Sequence, residues 1–111
     1  MNKPTCCIGL DDTTLARIID VFKEHSKIAE VILYGSRAKG NYKPGSDIDL
    51  TFIGKELTLH ELNGISLALD DLLLPFTFDL SIYSQIDNTE LIGHIKRVGI
   101  TIYKKAEESW K

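Results

Sequence analysis

Three acids and a glycine–serine pair carry the chemistry open to this sequence. Asp47 and Asp49 stand two apart in DIDLTFI, a stretch that alternates polar and apolar residues and reads as a half-buried strand. Successive strand side chains point to opposite faces, so both carboxylates project from one face, roughly 6–7 Å apart along the chain. Asp79 sits in a second alternating stretch, FTFDLSIY, where it shares a face with Thr77 and Ser81. If that strand lies beside the first, at about 4.8 Å, three carboxylates converge. Neighbouring acids repel; solvent makes the pair tolerable, and a cation between them makes it favourable. Oxygen-only ligands suit Mg2+ or Mn2+, and three acids can hold two such ions, the arrangement that serves in-line displacement at phosphorus. Taken alone, an Asp-x-Asp pair is also what the wet face of an ordinary strand looks like.

Gly35 and Ser36 end the apolar run IAEVILY. A glycine backbone can approach a phosphate closely, and if Ser36 opens a helical turn its N–H groups and hydroxyl can donate to an anion. Arg37, Lys39 and Lys43 place positive charge in the same loop. Each feature has a plain alternative: Gly-Ser as a simple turn, Arg37 in a structural salt bridge, and both lysines in solvent. Tyr42 is either a base-stacking side chain or a loop tyrosine, and Ser46 either orients the acid pair or only makes the turn. The combination outweighs its parts.

Around these residues the pattern predicts alternating elements. Asp11-Asp12-Thr13-Thr14 starts a helix whose core face is Leu15, Ile18, Ile19 and Phe22, ending near His25-Ser26. Residues Ile28–Tyr34 form a buried strand, with a short helical turn at Arg37–Gly40 and turn residues from Asn41 to Ser46. Asp47–Ile53 is the next strand. Thr58 and Glu61 form a capping box for a helix whose stripe runs from Leu59 to Leu73, before Pro75. Phe76–Tyr83 is the third strand. Asp87–Glu90 caps a last helix that ends at Gly99, and Ile100–Tyr103 is a short final strand. The connection between the first two strands is too short for a parallel crossover, so they pair antiparallel. The fold class expected is α+β, a mixed sheet flanked by helices.

Gly35-Ser36, ten intervening residues, then Asp47-Ile48-Asp49 resembles the signature of the polymerase β-type nucleotidyltransferase superfamily. The fuller string GSRAKG…SDIDL is similar to its small branch, the minimal nucleotidyltransferases. Asp79 in FDLSIY stands where the family places a third acid, and the resemblance runs from about Ile28 to Tyr103. It implies a polymerase β-like core in which Gly35 and Ser36 hold the β,γ-phosphates of a nucleoside triphosphate. Asp47, Asp49 and Asp79 would bind Mg2+ or Mn2+, with Asp79 also helping to deprotonate an acceptor hydroxyl. Arg37 would neutralise triphosphate charge. The reaction implied moves a nucleoside monophosphate, AMP from ATP, onto a hydroxyl and releases pyrophosphate. Minimal members act beside an all-helical HEPN-type protein from a neighbouring gene. That partner is either a toxin silenced by adenylylation or the substrate-binding half of a small-molecule transferase. A binding module that neutralises its partner by contact, and a structural domain with a fortuitous motif, are the remaining alternatives.

Length and charge shape these expectations. The 111 residues suggest a single domain over 1–111, with a core of about 28–103 and no room for an acceptor pocket, so the missing half is expected from another chain. Thirteen Lys+Arg against sixteen Asp+Glu leave a net charge of −3, which argues against direct nucleic-acid binding. No apolar run reaches the roughly 20 residues of a membrane span, and no signal pattern is visible. Adjacent Cys6 and Cys7 make neither a disulfide framework nor a zinc site, so a reduced, cytoplasmic setting is expected. Trp110 falls in a charged tail. His25, His60 and His94 lie apart on predicted helices and read as surface residues.

Overall fold

In the computed structural model, residues 9–43 and 45–105 are described. Expectations placed on the opening segment with Cys6 and Cys7, on Pro44 in the turn, and on the tail with Trp110 lie outside the described residues. The chain runs α1 (Asp12–Lys23), β1 (Glu30–Tyr34), α2 (Ser36–Lys39), β2 (Ile48–Ile53) and α3 (Leu59–Asp70). It continues through β3 (Phe78–Ile82), a 3-10 turn at Tyr83–Gln85, α4 (Thr89–Val98) and β4 (Ile100–Lys104). This is the order expected, and it makes an α+β fold.

The helices start where their caps dictate. The Asp11 carboxylate accepts the Thr14 N–H at 2.7 Å, and the Asn88 side chain accepts the N–H groups of Glu90 and Leu91 at 2.9 and 3.2 Å. Thr58 Oγ1 accepts the Glu61 N–H at 3.4 Å. The Glu61 carboxylate pairs with Lys27 Nζ at 3.2 Å, so among the described bonds the expected capping box is present in one direction only.

The end of α3 corrects the predicted stripe. The helix stops at Asp70, and Leu72 and Leu73 do not continue it. Their N–H groups bond to the carbonyls of Leu69 and Asp70, a tightened last turn, and Leu73, 88% exposed, takes a positive φ of 57°. Pro75 follows, and the chain must turn there to reach the sheet.

The four strands form one mixed sheet in the order β3-β2-β1-β4. β1 is antiparallel to both β2 and β4, whereas β3 joins β2 in parallel, with α3 as the crossover. Register divides the sheet into two chemistries. Val31, Leu33, Leu50 and Phe52 are fully buried on one face, where Phe22 of α1 meets Phe52 edge-on at 5.5 Å. On the other face Tyr34 pairs with Asp49, and Asp49 with Asp79. Gly99 brings α4 onto this second face: a Cβ there would strike the Ile95 carbonyl and Ile32. Among the described residues, no helix is long and apolar enough to cross a membrane.

Candidate active site

β1 ends at Tyr34, and Gly35 makes the turn into α2 with φ 81° and ψ −155°. A side chain is excluded twice. This backbone region is essentially glycine-only, and a Cβ would run into Asp49 Oδ2. The Gly35 carbonyl accepts the Lys39 N–H at 3.1 Å, and the Ser36 carbonyl accepts Gly40 and Asn41 N–H at 3.0 and 3.1 Å. The glycine–serine pair therefore sits on one tight turn, directly against the first carboxylate of the sheet.

Asp49 and Asp79 are direct partners across the parallel β2–β3 pair. Asp49 is half-buried and Asp79 exposed. Burial, then the charges of Asp79 and Asp47, raise the Asp49 carboxyl above its ordinary range. Asp47 is exposed and precedes β2, whose pairing begins at Ile48. The expected convergence of three acids is thus only partly formed. Among the described residues, no group of three or more His, Cys, Asp or Glu side chains is arranged to hold a metal ion. Carboxylates repel one another, and Asp47 stands outside the ladder that would hold it in place.

Beneath the acids lies a polar layer. Thr51 is fully buried, and its hydroxyl lies 3.0 Å from that of Ser81. Tyr34, 8% exposed, has its phenol pushed up by burial against a hydrogen bond from Ser81, with Asp79 and Asp49 adding to the rise. Strand alternation predicted these faces, but nothing in the sequence showed that Thr51 would be covered.

Arg37 is 2% exposed. Its Nε and Nη2 donate to the Ser46 carbonyl at 3.3 and 3.0 Å, and its guanidinium lies 5.0 Å from the rings of both Tyr42 and Phe76. A cation held this way offers its charge through the loop, without projecting into solvent. Tyr42 is therefore packed on Arg37, and Ser46 makes the turn, its Oγ accepting the Lys43 N–H at 2.8 Å. Lys39 and Lys43 are exposed.

His94 departs from its expected place on the surface. It is half-buried, its Nε2 accepts the Gly35 N–H at 3.2 Å, and its ring meets that of Tyr34 edge-on at 6.1 Å. Its spacing from Leu91 and Val98, three and four residues, sets it on the apolar stripe of α4 and was the available signal. His60 is exposed. His25 instead lines a cleft between α1 and α3 with Arg17, Asp20, Glu24 and Leu72, away from the acids.

Comparison with known proteins bears on the family and the fold. The family described as Polymerase beta, Nucleotidyltransferase matches residues 16–108. The chain is 31% identical over 102 residues to a Methanocaldococcus jannaschii protein provisionally named a protein adenylyltransferase, covering 77% of this chain and 98% of that one. It is similar to a toxin–antitoxin structure crystallised with AMP-PNP, with a TM-score of 0.68 and 20% identity, over 82% of this chain and 73% of that one. It is also similar to a chain in the complex of tri-AMPylated Shewanella oneidensis HEPN toxin with MNT antitoxin. There the TM-score is 0.61 and the identity 18%, over 82% of this chain and 70% of that one. A structure provisionally described as a minimal nucleotidyltransferase shares 27% identity at a TM-score of 0.63, over 80% of this chain and 92% of that one.

Proposed function

The chain belongs to the polymerase β nucleotidyltransferase family, and on that premise we propose that it transfers AMP from ATP to a hydroxyl on a separate, all-helical HEPN-type partner, as an antitoxin that silences a toxin. The observation that carries this proposal is the pairing of Asp49 with Asp79 in register, with the Gly35 backbone against the Asp49 carboxylate. Adenylylation of a protein partner is favoured by the relatives, one of which contains an AMP-modified HEPN toxin.

In this scheme Gly35 and Ser36 hold the β,γ-phosphates, and Arg37 steadies the loop that carries Asp47. The acceptor oxygen attacks the α-phosphorus in line. Its bond to that phosphorus forms as the bond to the β-bridging oxygen breaks, pyrophosphate leaves, and the hydroxyl proton passes to Asp79. The donor set fits a hard divalent cation, because Mg2+ is commonly held by one or two carboxylates together with substrate phosphates, and the crowded Asp49–Asp79 pair supplies those two. Asp49 and Asp79, with Asp47 drawn in from the exposed position before β2, would hold Mg2+ or Mn2+, which would supply charge neutralisation at the triphosphate when bound. Most of the rate enhancement then comes from positioning and fixed charge.

The test is mass spectrometry of the partner encoded beside this gene after incubation with this chain, ATP and Mg2+. The expected result is a gain in multiples of AMP with the wild type and none with Asp47→Asn/Asp49→Asn. An unmodified partner would overturn the proposal. Modification of a small molecule would instead establish the two-protein transferase.

A further inference from the structure

His94 has no part in the scheme above, yet it is tied to the residue on which the phosphate cradle turns. It lies on α4, 59 positions from Gly35, and its Nε2 accepts the Gly35 N–H at 3.2 Å. The ring nitrogen Nε2 is the acceptor in this bond. The same ring stands edge-on to Tyr34 at 6.1 Å and 80° between planes. His94 thus touches two consecutive residues at the point where β1 gives way to α2.

Gly35 needs such support. Glycine reaches its φ of 81° and ψ of −155° without strain but leaves them as freely, so contacts from outside the residue must fix the turn. Two peptide planes meet at this residue. The Gly35–Ser36 plane is held by the Lys39 N–H on the Gly35 carbonyl, a contact local to α2. The Tyr34–Gly35 plane is held at its N–H by His94, from α4 packed on the same face. With both planes set, the direction of Ser36 relative to Asp49 is set as well.

We propose that His94 is a positioning residue for the nucleotide cradle: by accepting the Gly35 N–H it holds the β1–α2 turn in the conformation that aims Ser36 at the bound phosphates. This rests on the proposed function, because the phosphates are those of its nucleotide. The required property is an acceptor at the position of Nε2. A glutamine can place its amide oxygen there, whereas a leucine fills the space and accepts nothing.

The test compares the wild type, His94→Gln and His94→Leu, each with Mg2+ and ATP, and with the HEPN-type partner added as acceptor for the transfer kinetics. The readouts are the Gly35 amide resonance and its hydrogen exchange, the melting temperature with and without ATP, and the KM for ATP against kcat. His94→Leu is expected to speed Gly35 exchange and to raise KM for ATP about tenfold, with a smaller change in kcat. His94→Gln is expected to restore both. If His94→Leu binds ATP as the wild type does, the positioning role is overturned while the nucleotide site stands. The same holds if Gln and Leu lose nucleotide-free melting temperature and ATP affinity alike, because packing alone then explains His94. If the wild type itself gains no stability from ATP, the nucleotide site falls and the positioning role falls with it.

Discussion

The backbone of Gly35 rests against the Asp49 carboxylate so closely that a Cβ on Gly35 would collide with Oδ2. The glycine–serine turn and the acid pair are therefore one site, built at a point where β1 and β2 are still paired through Tyr34 and Asp49. Gly35→Ala meets both a positive φ and this contact. It should destabilise the fold by about 1–3 kcal/mol and abolish stabilisation by ATP. Urea unfolding and melting curves with and without nucleotide measure the two effects. An unchanged ATP response would separate the turn from the nucleotide.

Asp49 should show a conflict between stability and function. Burial, then Asp79 and Asp47, raise its carboxyl in the folded state, so the folded chain binds that proton more tightly than the unfolded chain does. Stability then falls as pH rises from the ordinary carboxylate range through the raised folded value. Asp49→Asn removes this penalty. In EDTA it should melt higher than the wild type at pH 7, and the gain should shrink as pH falls through the raised folded value and be gone near the ordinary carboxylate value of about 4. Loss of transfer activity should accompany the gain. A variant that melts lower at pH 7 would contradict the electrostatic account.

Asp79 faces Asp49 from an exposed strand position, where a side chain can be changed without opening the core. Asp79→Asn should lower kcat by about 10²–10⁴-fold, the range for loss of a general base, while the fold keeps its melting temperature within a few degrees. A defect confined to KM for ATP would remove Asp79 from proton transfer.

Arg37→Lys tests whether the buried guanidinium holds the loop. Lysine cannot place two donors on the Ser46 carbonyl, nor lie flat between Tyr42 and Phe76. The loss should be about 1–3 kcal/mol, the scale of a buried polar group left without its partner. Denaturant unfolding reads it directly, and a fully stable lysine variant would mean that charge alone suffices.

What this sequence determined by itself is local in origin. The caps at Asp11, Thr58 and Asn88, the alternation of DIDLTFI and FDLSIY, and the Gly-Ser turn follow from short-range hydrogen bonding and side-chain periodicity, which a sequence displays directly. Those features placed Asp49 and Asp79 on strands, put Asp47 one residue too far into β2, which begins at Ile48, and pointed to the family. The tertiary structure decided which groups meet. Parallel pairing of β2 with β3 sets Asp49 against Asp79, and the same docking covers Thr51. Folding of the loop over Arg37 makes this loop cation a buried clamp on Ser46. His94 reaches Gly35 only because α4 packs on the face that carries the acids. Each of these is a contact between residues that no local pattern links, and only the packing of helix on sheet brings them together.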